Sequence, residues 1–197
     1  MANLIGPDVS FYQDAETTPQ GINFVKMKQS AGYVVIRSGQ NVWVDSDFRT
    51  NWTGAKGAGI PRGSYWFYDS RANPTEQADL WYSTFDGDLG ELPLFADFEE
   101  AYGGAYTGWK HWKTFLERIK SRVGNHEIGI YTAYYYWVRN ATRLTLHISS
   151  NTPCGSLTMA FPRRLCPSPG IPMAGRSGNL PTVAMEICMA WRVRASI

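Results

Sequence analysis

The sequence predicts an α/β fold organised on a parallel sheet or an α/β barrel, and three observations carry that expectation. Apolar runs of strand length alternate with helical patterns at the spacing of strand–helix–strand units. Residues 33–39 form a continuous run rich in β-branched side chains, the signature of a strand covered on both faces. Residues 107–123 place Trp109, Trp112, Phe115, Leu116 and Ile119 on one face of a helix.

The elements follow in order. Residues 4–13 read as a short strand running into a loop that carries Asp8, and 25–29 as a short helix. The strand over 33–39 leads to a helix over 47–56, closed by Gly57 and Gly59, because glycine readily takes the left-handed conformation that ends helices. Residues 62–68 form the third strand, and Pro74, which favours the first turn of a helix, opens the next helix. Residues 92–100 form the fourth strand; the long amphipathic helix and a fifth strand over 128–132 complete the pattern.

The fourth strand ends in Asp97-Phe98-Glu99. Side chains two apart on a strand share a face, with Cβ atoms roughly 6.5 Å from each other. Two carboxyls held in one space push their pKa values apart, which keeps one of them protonated for acid catalysis. Glycosidases need such a pair, although solvated or salt-bridged acids at a strand end give the same pattern. Parallel-sheet enzymes place their chemistry at the C-terminal strand ends, where Asp8, Asp97 and Glu99 fall.

A chain of 197 residues accommodates one domain with a substantial core, and its eight Trp and eleven Tyr suit stacking on sugar rings as well as core filling. No basic segment followed by an apolar run opens the chain, and no stretch approaches 18 apolar residues, so neither a secretion signal nor a membrane span is expected.

The net charge of +2 hides a division near Val138. Residues 1–137 carry 16 acidic against 12 basic side chains, whereas 138–197 carry seven Arg, no Lys and one acid, Glu186. Of 28 aromatic residues only Phe161 and Trp191 lie beyond the division, as do all three cysteines. The cysteine spacings fit no zinc or disulfide framework, and Cys154, Cys166 and Cys188 are read as unpaired. His111, His126 and His147 lack metal-ligand spacing and read as surface or capping residues.

Four motifs occur along the chain: Asp8-Val9-Ser10-x-x-Gln13, Ala58-Gly59-Ile60-Pro61-Arg62-Gly63-Ser64-Tyr65-Trp66-Phe67, Asp97-Phe98-Glu99, and Gly129-Ile130-Tyr131-Thr132 with Trp137. In this order, over residues 4–137, they resemble glycoside hydrolase family 25, the Chalaropsis-type lysozymes of phage endolysins and bacterial autolysins. The resemblance implies a flattened (β/α) barrel that hydrolyses the β-1,4 bond between N-acetylmuramic acid and N-acetylglucosamine. It implies Glu99 as general acid/base, Asp97 as the group steadying the substrate's 2-acetamido group, and Asp8 lining the same pocket. It also implies Tyr65, Tyr68, Arg37 and Tyr131 as substrate-binding, with Arg37 standing where the family is expected to have lysine. By alternation Tyr65 and Phe67 share one face and Trp66 and Tyr68 the other, so at most one pair faces the site. The implied partner is bacterial cell-wall peptidoglycan, met after release or export. No cofactor, metal or nucleic acid is expected, and the chain is expected to act as a monomer.

The resemblance stops after Trp137. The expected Pro-Leu-Trp-Ile-Ala-Asn-Tyr-Gly and Trp-Gln-Phe-Thr-x-x-Gly runs are absent, yet a shifted reading frame over residues 151–161 and 174–186 permits both. The expectation is therefore a domain of 4–137 followed by a frameshifted basic tail, 138–197, without folded structure. The barrel would be incomplete because strands six to eight are not encoded in this frame.

Overall fold

A computed structural model describes residues 5–13, 21–99, 102–132 and 157–160. One sheet organises them, in the order β1 (Asp8–Val9), β2 (Val34–Gln40), β4 (Arg62–Phe67), β5 (Leu94–Asp97), β6 (Ile128–Tyr131) and β7 (Leu157–Ala160), every neighbouring pair parallel. A short β3 (Trp43–Val44) folds back antiparallel on β2 as a hairpin that sequence reading missed. Among the described residues no pairing joins β7 to β1, so the sheet is an open arc of α/β type.

The helices form where local chemistry closes their ends. Asn23 caps α1 (Phe24–Met27) by accepting from the Lys26 N–H at 2.9 Å. α2 (Phe48–Ala58) ends at Gly59, whose φ of +66° is the left-handed conformation expected there. Asn73 accepts from the Thr75 N–H at 2.8 Å to open α3 (Pro74–Ser83), with Pro74 in the first turn. α4 (Trp109–Val123) buries Trp112, Phe115, Ile119 and Val123 along one stripe. Arg118 and Arg122 bond Asp79 at 2.8–2.9 Å and tie α4 to α3.

The core lies between the helices and one face of the sheet. Val34, Ile36, Trp66, Leu94, Ala96 and Ile130 are fully buried and all even-numbered, as strand alternation requires. They meet an aromatic layer in which Trp81 stacks on Phe115 at 5.8 Å and Trp112 on Phe98 at 4.4 Å. At the opposite end of β4 the buried Arg62 bonds Asp88, Glu91 and the Trp52 carbonyl. Burial pushes the Asp88 carboxyl up, but the bonds from Arg62 and Lys56 outweigh it and bring the group to about 2.

One expectation is corrected. Four residues of the basic tail are not without structure: Leu157–Ala160 adds a parallel strand to β6, Ile128 opposite Leu157 and Tyr131 opposite Ala160. An open strand edge offers unpaired backbone groups to which a further short strand can add. Trp137, His147, the three cysteines and the stretch near residue 138 where a shift of frame was expected lie outside the described residues. Among the described residues no helix is long and apolar enough to cross a membrane.

Two substitutions probe this packing by urea denaturation. Trp112→Ala empties a fully buried site and is expected to cost about 3–5 kcal/mol. Asn73→Ala removes a helix cap and is expected to cost about 1 kcal/mol.

Candidate active site

The other face of the sheet is built from odd-numbered residues and is concave. Val35 and Arg37 of β2, Tyr65 and Phe67 of β4, Phe95 and Asp97 of β5, and Tyr131 of β6 line a cleft of about 560 Å³. Register aligns them in two rows. Arg37 stands opposite Tyr65 and Tyr65 opposite Phe95; nearer the strand ends, Gln40, Phe67, Asp97 and Tyr131 follow one another across four strands.

Asp8, Asp97 and Glu99, predicted as a group, all line this cleft, as do Tyr65, Arg37 and Tyr131. Asp8 is exposed at the rim, Glu99 half-buried, and Asp97 only 5% exposed. Burial pushes the Asp97 carboxyl well above the ordinary aspartate range; the charges of Glu99 and Asp8 add to this, while Arg37 opposes it. Asp97 Oδ1 has no hydrogen-bond partner among the described residues. Burial likewise raises the Tyr131 phenol to about 12, with help from Glu99, Asp97 and Asp8, and raises Tyr65 for the same leading reason. Both phenols therefore stay protonated and able to donate.

Tyr68 departs from expectation. It is fully buried on the helix side, where its ring packs 5.2 Å from Trp112 and from Phe115 and its hydroxyl donates to the Tyr106 carbonyl at 3.0 Å. Pleat alternation puts Tyr65 and Phe67 in the cleft, so the pair containing Tyr68 must face the helices. Gln13 of the first motif serves as a brace, accepting from the Ser10 N–H and hydroxyl. His126 bonds the Leu92 carbonyl through its ring Nε2 at 2.9 Å.

Sequence reading missed several cleft residues. Val35 and Phe95 were accessible by stepping two residues from Arg37 and Asp97, as Phe67 had been from Tyr65. Tyr33, one step before β2, was accessible by the same count from Val35, whereas Tyr12 and Tyr102 lie outside the strands, where no periodicity marks them. Tyr102 is held at the mouth by the Arg71 guanidinium, 4.4 Å over its ring, which in turn bonds Asp69.

The arrangement offers a buried carboxyl that holds its proton more tightly than an ordinary aspartate, a second carboxyl two residues away, and aromatic walls. The sequence profile of Glycosyl hydrolases family 25 matches residues 7–152, running past the composition break near 138. The chain belongs to family 25. Lysozyme M1 of Streptomyces globisporus is 33% identical over 146 residues, which cover 67% of this chain and 47% of that protein. This family 25 chain thus spans about half the length of that curated relative. Among solved structures, the bacterial lysozyme of Streptomyces coelicolor is 25% identical with a TM-score of 0.55, over 70% of this chain and 66% of that one. The catalytic domain of endolysin ply40, from bacteriophage P40 of Listeria monocytogenes, shares the fold with a TM-score of 0.62 at 20% identity, over 71% and 68% of the two chains.

The raised pKa of Asp97 gives a stability test with a definite sign. Above the pKa of an unfolded aspartate the unfolded chain gives up this proton while the native state keeps it. Native stability therefore falls as pH rises between the unfolded value and the raised native value. Asp97→Asn, which carries no charge to bury, is expected to melt above the wild type at pH 7, and the gain to shrink as pH falls toward 4. Thermal unfolding followed by circular dichroism across that range checks it.

Proposed function

We propose that the cleft hydrolyses the β-1,4 bond between N-acetylmuramic acid and N-acetylglucosamine in bacterial cell-wall peptidoglycan. Family membership and the lysozyme relatives support a peptidoglycan hydrolase. The observation that carries the residue roles is the pairing of buried Asp97 with half-buried Glu99 at the end of β5.

In this reading Glu99 protonates the leaving glycosidic oxygen as positive charge builds at the anomeric carbon. The substrate's acetamido oxygen attacks that carbon from the opposite face and displaces the leaving sugar, forming an oxazolinium ring. Asp97 Oδ1 is free among the described residues to accept the acetamido N–H. That bond would stabilise the Asp97 anion and let the proton held by the pair pass to Glu99. Water then opens the ring at the anomeric carbon, Glu99 takes its proton, and the configuration is retained. Asp8 at the rim, and Tyr65, Tyr131 and Arg37 along the walls, orient the sugar.

Release of soluble muropeptides from purified peptidoglycan tests the assignment. Glu99→Gln is expected to lower the rate about 10²–10⁴-fold, the usual contribution of a general acid. Unchanged release would remove Glu99 from the chemistry. Proton NMR of the first product is expected to show the retained β-anomer; mainly inverted product would rule out acetamido participation.

The composition break near 138 favours a second reading, in which the residues beyond it derive from a shifted frame and the chain is a catalytically inactive product or a glycan-binding remnant of such an enzyme. Two parts of the sheet bear on that reading: β1 at one end and, at the other, β7, the four-residue strand from beyond the break that borders β6. A frame-restored chain that releases muropeptides beside an inert chain of the present sequence would support it; equal release would exclude it.

A further inference from the structure

An aromatic shelf stands beside the carboxylate cleft, and its three rings have no part in the chemistry above. Phe11 and Tyr12 lie on the single helical turn after β1, and Trp43 on the β2–β3 hairpin. Phe11 sits edge-on to Trp43 with centroids 6.0 Å apart and packs on Tyr12 at 4.0 Å. The Arg37 guanidinium lies among all three rings, 4.7 Å over Trp43, 5.6 Å over Phe11 and 5.7 Å over Tyr12. Although Arg37 covers one approach to the indole, Trp43 remains 40% exposed and Tyr12 72% exposed, with Val42 and Val44 also facing solvent. Contiguous exposed apolar side chains of this kind make the hairpin a candidate binding surface.

We propose that this shelf is a sugar-binding subsite outside the cleft, where a further pyranose ring of the glycan chain stacks on Trp43. The proposal rests on the hydrolase reading above and extends it from the scissile bond to the length of chain recognised. Three observations support a sugar as the occupant. The shelf is continuous with the cleft, because Tyr12 and Arg37 belong to both. An exposed indole presents a flat face to the C–H face of a pyranose while leaving the sugar hydroxyls in water. The shelf is also held in place before any ligand arrives, which lowers the ordering cost of binding. The Asp45 carboxylate accepts from the Phe11 N–H at 3.1 Å and the Asp47 N–H at 3.0 Å, pinning the turn to the hairpin. Asn41 makes the tight hairpin turn with φ of +55°, and its side chain bonds Asp69. At Gly39 a Cβ would collide with the Trp43 carbonyl and the Trp66 ring, so the hairpin closes only over glycine.

The test is isothermal titration of the Glu99→Gln chain, which prevents turnover, with defined N-acetylglucosamine–N-acetylmuramic acid glycan fragments of four and eight sugars. The eight-sugar fragment is expected to bind about tenfold more tightly, the scale of one aromatic contact together with the area it buries. In the same background Trp43→Ala is expected to abolish that advantage and Trp43→Phe to keep most of it, while four-sugar affinity stays the same in all three chains. That unchanged affinity also reports intact folding. Equal affinity for both lengths, or a length advantage that survives Trp43→Ala, would overturn the shelf. Binding of neither fragment by the Glu99→Gln chain would overturn the hydrolase reading and the shelf with it.

Discussion

A slip of one residue between β5 and its neighbours would turn Asp97 toward the helices and put Ala96 in the cleft, and the whole site depends on preventing it. Three features resist such a slip. Leu94 and Ala96 fill the helix side of β5 beside Trp66 and Ile130, all without exposed surface, and the carboxylate side could not replace them there without burying charge. Backbone pairing continues past the strand, the Phe98 N–H donating to the Tyr131 carbonyl at 2.8 Å and the Thr132 hydroxyl to the Phe98 carbonyl at 2.6 Å. The Phe98 ring then stacks on Trp112 of α4, so the residue between the two acids is anchored in the core and fixes both on the opposite side.

From that register the electrostatics follow. Asp97 is buried because the aromatic walls of β4, β5 and β6 rise around it, and burial is the leading reason its carboxyl resists ionisation. Glu99, nearer solvent, adds its charge to the same effect. Arg37 is the cation that moderates it, and its own position depends on the register break in β2 between Arg37 and Gly39. Such a bulge re-aims a strand where a site needs it. One irregularity thus sets Arg37 among the rings of the shelf while keeping it within electrostatic reach of Asp97.

Much of this was legible in the sequence because it rests on periodicity. The five strands and the α4 stripe announce themselves through alternation of two and of about 3.6, and Asp97 with Glu99 through a spacing that strand geometry places on one face. Tyr68 misled because it lies one step past a strand end, where motif position and pleat parity pointed to opposite faces; parity was right. Trp43 was missed because a two-residue strand has no period to detect. Tyr12 and Tyr102 reach the cleft from loops, positioned by tertiary contacts that local pattern does not encode. β7 illustrates the same limit, since its place is set by the waiting edge of β6 as much as by its own four residues.

Coupling between the two carboxyls shows most directly in the protonation of Asp97. Carboxyl carbon-13 NMR of Asp97, titrated in the wild type and in Glu99→Gln, measures it directly. In the wild type the midpoint is expected well above the ordinary aspartate range. In Glu99→Gln a lower midpoint that is still elevated is expected, because one charge is gone while burial remains. An Asp97 that titrates in the ordinary range, or one indifferent to Glu99, would contradict the claim that these two carboxyls work as a coupled pair.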